Sequence, residues 1–285
     1  MYKTVVFDLD GTLLDTLEDL YLAVNHALAA HGLPGRSRDE VRLATGNGIV
    51  RLIQRSVPTD CPDELRERVF GTFKEHYGAH SMDHTAPYAG MPELVAALRE
   101  AGAHVAVVSN KADFAVQTII RATFPDAFDC VMGENEAAGI PKKPARPMVD
   151  AALEAMGGRS GAVAYVGDSE VDVATAANAD CDCVACSWGF RGREALVEAG
   201  APLIVDTPSE LQRVLLSCPS ARRCSRSPNI FGRPAPPVRG RAIVIPNTGK
   251  VAQRREPPWV RRLLRHSTSI TTSSPNTCTA ITRCT

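Results

Sequence analysis

The chain has 285 residues, 44% hydrophobic and 22% charged, with a formal net charge of zero. That length supports one or two domains with a core of their own, and the composition is that of an ordinary soluble protein. No apolar run approaches the roughly 18 residues that a bilayer-spanning helix needs, and Met1-Tyr-Lys-Thr-Val-Val-Phe enters a strand-like run without a signal-peptide pattern, so a cytoplasmic protein with no membrane partner is expected.

The neutral total hides a division. Residues 1–216 carry 19 basic and 31 acidic residues, whereas 217–285 carry 13 basic residues and one acid, Glu256. Two stretches this different do not read as one domain. Five of the nine cysteines lie in the first stretch and four in the second, without the spacing of a disulfide framework. Cys181, Cys183 and Cys186 crowd together, but Asp182-Cys-Val-Ala-Cys-Ser has the pattern of a buried strand rather than of a metal site.

Taken in chain order, β-branched runs predict strands at 3–8, 103–109, 128–132, 162–167, 182–187 and 203–206. Helical patterns fall between them near 92–101, 112–123, 145–157, 171–179 and 192–199. This alternation predicts an α/β, Rossmann-like sandwich with a mostly parallel sheet, in which ligands sit beyond the carboxyl ends of the strands. The alternation breaks once. From Leu17 to Ser81 the sequence shows helical patterns alone, at Glu18–His31, Arg38–Ala44, Gly48–Val57 and Pro62–His76. The reading is a small inserted helical domain at 17–81 over a core made of 1–16 and 82–216, with hinges at Asp15–Thr16 and Ser81–Pro87. The stretch 217–285, rich in Pro, Arg, Ser and Thr, has little chance of burying a core and is expected to be disordered or out of frame, with a nucleic-acid-binding arm as the alternative.

Polar residues gather at the predicted strand ends. The first strand runs into Asp8-Leu-Asp10-Gly11-Thr12, and alternation along it points Asp8 and Asp10 the same way. Carboxylates this close repel each other unless a cation or a shared proton compensates. The second strand ends in Ser109-Asn110-Lys111, and the fourth in Gly167-Asp168-Ser169-Glu-Val-Asp172. Lys142-Lys143-Pro144 stands between them at the mouth of a helix. Four stretches thus bring carboxylates, small hydrogen-bonding groups and a cation to one sheet edge.

This ordered set resembles the haloacid dehalogenase superfamily, in its branch of phosphatases with a helical cap after the first strand, and most of all its phosphoglycolate phosphatase-like members. The resemblance covers residues 1–216. It implies that Asp8 attacks phosphorus, forming an aspartyl-phosphate, and that Asp10 protonates the leaving oxygen and then activates water. Thr12 and Ser109, with Asn110 nearby, would hold phosphoryl oxygens, and Lys143 would neutralise them. Asp8, the main-chain carbonyl of Asp10, and Asp168 would bind Mg2+, a hard cation that takes oxygen ligands. Asp172 would orient a metal-bound water or Lys143. Asp10 favours phosphoryl transfer over the dehalogenase branch, which lacks an aspartate there because a halide leaving group needs no proton. Two positions depart from the pattern: Arg146 replaces a proline, and Asp180 replaces a glycine at a helix end.

The expected substrate is a small phosphorylated metabolite, 2-phosphoglycolate first. Phosphosugar mutase activity and hydrolysis of pyrophosphate or nucleotides are the alternatives. A Schiff-base phosphonate hydrolase is disfavoured, since Lys74 is the only lysine of the insertion. Within the insertion, Thr45-Gly46-Asn47-Gly48 could offer N–H groups to an anion, Arg51 and Arg55 could meet a substrate carboxylate, and Trp188-Gly-Phe-Arg191 could help close the site.

Overall fold

A computed structural model describes residues 1–135 and 138–217. The tail and the readings attached to it, from residue 218 onward, lie outside the described residues. Strand β1 (Thr4–Phe7) is buried at every position. A strand without a polar face can be accommodated only where both sides of a sheet are covered, the situation of parallel sheets in α/β proteins. The structure provides this.

Six strands, β1, β4 (His104–Ala112), β5 (Cys130–Glu134), β6 (Val163–Gly167), β7 (Asp182–Cys186) and β8 (Ile204–Val205), pair in parallel in the order β5-β4-β1-β6-β7-β8. The chain builds outward from β1 through β4 to β5, then crosses back to β6 and builds outward on the other side. The reversal at the centre opens a crevice at the carboxyl ends of β1 and its neighbours. Side chains alternate between two cores. Val5, Phe7, Val105 and Val107 pack with α5 (Met91–Glu100), α6 (Asp113–Thr123) and α10 (Pro208–Leu216). Val6, Ala106, Val108 and Tyr165 face the opposite way, onto α7 (Pro147–Ala155) and α8 (Glu170–Asn178).

Between β1 and β4 the chain forms α1 (Leu17–Ala30), α2 (Arg38–Ala44), α3 (Ile49–Ser56) and α4 (Asp63–His80). Helices α1 and α4 run antiparallel: His31 bonds Thr72 at 2.9 Å, and His26 stacks on His76 with ring centroids 3.9 Å apart. Ser37 and Glu40 form a reciprocal cap that starts α2. The two chain crossings are paired as a short antiparallel ribbon, β2 (Leu14–Asp15) with β3 (Ala86–Pro87). Buried Asp19 ties them further, accepting from the His84 amide at 3.0 Å, the Thr85 amide at 2.9 Å and the Thr85 hydroxyl at 2.8 Å.

Two local departures from expectation have plain causes. Asp180 adopts φ 54°, so it fills the left-handed position that ends α8, as a short polar side chain can. Helix α10 was not expected, yet Leu211 and Leu215 are fully buried and Thr207 caps it by accepting from the Glu210 amide. Helix α9 (Gly192–Glu198) follows the loop after β7. Among the described residues no helix is long and apolar enough to cross a membrane.

Candidate active site

Of the residues singled out at the strand ends, Asp8, Asp10, Ser109, Asn110, Lys143 and Asp168 line one cleft. Its floor is set by the exit from β1. The Asp8 amide donates to the Val166 carbonyl at 2.9 Å, and the Leu9 carbonyl then accepts from Thr12, Leu13 and Leu14 in a tight loop. Gly11 makes that loop possible: it sits at φ +83°, and a Cβ there would overlap the Asp168 carboxylate. Gly189 closes on Asp168 from the other side for the same reason.

Lys143 is the electrostatic centre. Its ammonium lies 2.7 Å from Asp8 Oδ1 and 2.8 Å from Asp172 Oδ1, and its side chain is 2% exposed. Burial alone would discharge it; Asp172 and then Asp8 hold its pKa well above the ordinary lysine value. Asp172 is itself fixed, accepting from Tyr165 Oη at 3.2 Å and from Ser169 Oγ at 2.6 Å. Neighbouring Lys142 instead pairs with Glu134 at 2.8 Å, outside this cluster.

Burial pushes the Asp8 carboxyl up to about 7, with Lys143 pulling it down and Asp172 pushing it further up. Burial, Asp172 and Asp8 likewise raise Asp168 well above the carboxylate range, against the hydrogen bond from the Phe190 amide. Carboxylate oxygens of Asp8, Asp168 and Asp172 all lie within 4.8 Å of one another. Three buried carboxylates around one ammonium leave an excess of negative charge. A divalent cation held by oxygen ligands relieves such an excess, so the donor set fits one.

Asp10 has a different environment. Its Oδ1 accepts from Thr16 Oγ1 at 2.6 Å and from Lys111 Nζ at 2.7 Å, away from the three clustered acids. Ser109 lines the cleft beside them. Thr12 and Asn110, both expected near phosphate, also bond to neighbouring site residues. Thr12 is fully buried, and its hydroxyl is directed at Asp168 Oδ1 at 3.4 Å rather than into the cleft. The Asn110 amide braces Lys143, accepting from its N–H at 2.9 Å and donating to its carbonyl at 3.1 Å.

The helical insertion completes the walls through Leu20, Gly46, Gly48, Ile49 and Leu52. Arg191 of the loop after β7 donates to the Arg42 carbonyl at 3.0 Å and the Thr45 carbonyl at 2.7 Å, while Arg42 donates back to the Phe190 carbonyl. Asn110 Nδ2 also reaches the Gly46 carbonyl at 3.3 Å. Arg55 is held by the Ala44 carbonyl and Asn47, and Arg51 by Gln54, so neither is directed at the cleft by these bonds. Lys111 was given no role from the sequence, and Arg191 lies in the loop expected to help close the site, although its partners in the insertion were not foreseen.

The profile of the haloacid dehalogenase-like hydrolases matches residues 5–186. A phosphoglycolate phosphatase of Caulobacter vibrioides is 34% identical over 227 residues, covering 76% of this chain and 94% of that protein. One from Chromobacterium violaceum is 31% identical, covering 73% and 94%. A crystal structure of a candidate phosphoglycolate phosphatase from Lactobacillus delbrueckii subsp. bulgaricus superposes with a TM-score of 0.72 at 34% identity, covering 76% of this chain and 99% of that one. With its motifs gathered at the edge of a parallel sheet and a family match over most of that sheet, the chain belongs to the haloacid dehalogenase-like hydrolases.

Proposed function

We propose that the protein is a Mg2+-dependent phosphomonoester hydrolase acting through an aspartyl-phosphate on Asp8, with 2-phosphoglycolate as its substrate. The observation that carries this reading is the unequal setting of two carboxylates on one loop. Asp8 touches Lys143 and faces the other acids, whereas Asp10 is held by Thr16 and Lys111. One suits a nucleophile beside a charge-compensating centre, the other a proton carrier for the leaving group. The names of the similar phosphatases add the substrate.

In the first step an Asp8 oxygen forms a bond to phosphorus, the bond from phosphorus to the ester oxygen breaks, and Asp10 delivers its proton to that oxygen. In the second step water attacks phosphorus and gives a proton back to Asp10, releasing phosphate and restoring Asp8. Lys143 and Ser109 hold the phosphoryl oxygens, and Lys143 offsets charge that the transition state spreads over them. Mg2+, held by Asp8, Asp168 and the main-chain carbonyl of Asp10, would screen the repulsion between carboxylate and phosphate dianion. Asp172 keeps Lys143 charged and in place. Thr12 supports Asp168, and Asn110 supports Lys143. Residues 17–81 act as a cap over the core formed by 1–16 and 82–216, closed partly through Arg191.

The test is phosphate release by the full chain, with and without Mg2+, from 2-phosphoglycolate beside sugar phosphates, nucleotides and pyrophosphate. Metal-dependent release, abolished in Asp8→Asn and greatest with 2-phosphoglycolate, is the expected result. Folded protein that releases phosphate from none of them would overturn the reading.

A further inference from the structure

Lys111 is a second buried lysine, bonded to Asp10 and given no contact with the phosphoryl group by the proposed mechanism. Its side chain is 4% exposed and lines the catalytic cleft at the end of β4. Its ammonium has three donors, of which Asp10 Oδ1 takes one at 2.7 Å. Its charge also lies over the Tyr77 ring, 5.0 Å from the centroid. Tyr77 comes from α4, is 6% exposed, and is fixed by stacking on Phe73. The Tyr77 hydroxyl is buried, and its polar neighbour is that same Lys111 ammonium, to which it stands as an acceptor. Lys111 stands between the catalytic cleft and the adjoining hollow that Tyr77 lines, so Asp10 and Tyr77 engage two of its three donors and the third is left for a ligand in the cleft.

Placement says what that ligand is. On the proposed function, from which this inference proceeds, Asp10 contacts the ester oxygen. Two consecutive hydrogen bonds then put the Lys111 ammonium about 5 Å from that oxygen, on the leaving-group side. An anionic group one carbon beyond the ester oxygen comes within reach of it. Leu20, Ile49 and Leu52 give the same cleft an apolar wall. Arg51, Arg55 and Arg191, the other cations of this region, are engaged with Gln54, with Ala44 and Asn47, and with Arg42, Thr45 and Glu170.

We propose that Lys111 and Tyr77 form a carboxylate subsite that selects phosphomonoesters whose leaving alcohol bears an acid group on the adjacent carbon. The subsite joins one residue of the sheet to one of the insertion, so an acid-bearing substrate bridges the two. Sugar phosphates and nucleotides, whose leaving groups lack that acid, do not engage it.

The experiment compares 2-phosphoglycolate with ethyl phosphate, an alkyl ester of the same length without the acid, using full-length protein with Mg2+. Wild type is expected to favour 2-phosphoglycolate. In Lys111→Met the ratio of the two kcat/KM values should fall about 100-fold, mostly through the KM for 2-phosphoglycolate, the scale of one charged hydrogen bond. In Tyr77→Phe, which keeps the ring and tests the point if the lysine variant fails to fold, it should fall about fivefold. Lys111→Arg should restore part of the preference. Equal losses on both substrates would overturn the subsite and leave Lys111 as a positioning residue for Asp10. A wild type with no preference for the acid-bearing ester would also overturn it, with the hydrolase reading intact. Turnover of neither ester, nor of any other in the panel, would overturn both.

Discussion

Replacing Asp8 by Asn should abolish hydrolysis and, in the absence of metal, make the folded protein more stable. Asp8 is 8% exposed and shares its surroundings with Asp168 and Asp172, against Lys143. Burial and these neighbours raise its pKa from 3.8 to about 7. Between about pH 4 and pH 7 the folded chain therefore binds more protons than the unfolded chain. Stability from this group is complete below pH 4 and is lost as pH rises through 7. The full difference corresponds to about 4 kcal/mol at pH 8, an upper bound for a carboxylate linked to its neighbours. Asn has the same shape, still accepts from Lys143, and carries no charge, so it removes this cost. With about 2 kcal/mol realised, Tm should rise by roughly 4–8 °C for a domain of this size.

The assay is thermal and urea unfolding of the full chain and the variant in chelator, at pH 5 and pH 8. Wild type should lose stability between the two pH values, and the variant should lose less. Adding Mg2+ should stabilise wild type at pH 8 much more than the variant, because binding to the folded state adds stability by mass action. A variant no more stable than wild type at pH 8 in chelator would refute the claim that crowded negative charge governs this site.

Two further perturbations separate the hinge from the closure contacts. Asp19→Ala leaves the His84 amide, the buried Thr85 amide and the Thr85 hydroxyl without their acceptor. It should cost about 3 kcal/mol in urea unfolding, whereas Asp19→Asn, which keeps one acceptor oxygen, should cost less. Arg191→Met removes the bonds to the Arg42 and Thr45 carbonyls. Amide exchange across residues 45–49 should then speed up about tenfold, with β1 and β6 unchanged, and the KM for 2-phosphoglycolate should rise; uniform acceleration throughout would instead mean loss of global stability.

The sheet was legible because buried parallel strands carry their signal in composition. Runs such as Val5-Val-Phe and Val105-Ala-Val-Val allow no polar face, and each predicted strand appears within a few residues of its expected place. The helices of the insertion were legible from periodicity and from Ser37 with Glu40. Strands β2 and β3 have two residues each, too few for any periodic pattern, and only pairing across a separation of about seventy residues creates them. Helix α10 did carry a start signal, Thr207-Pro-Ser-Glu210, which its place next to the basic tail obscured.

The site divided along the same line. Sequence shows which polar groups reach the sheet edge, because alternation and strand ends fix that. It does not show which of them bond to each other. Thr12, Asn110 and Lys111 are adjacent to motif residues and chemically suited to phosphate, yet their side chains turn to Asp168, to Lys143 and to Asp10. The Gly11 turn and the bulge between Val108 and Ala112 decide those directions, and both are tertiary outcomes.

The pairing of lysines with acids has a chemical consequence. Asp8 and Asp10 are two residues apart and would share one electrostatic environment if side chains alone mattered. Lys143, reaching in from beyond β5, contacts Asp8, and Lys111, from β4, contacts Asp10. Each cation arrives on a different segment, so the two acids have different contact partners, although the charge of Asp10 still bears on Asp8. On the proposed mechanism the nucleophile is ionised while the proton carrier holds its proton, so the two need different surroundings. That requirement explains why a loop of three residues draws its charge partners from two segments of the fold.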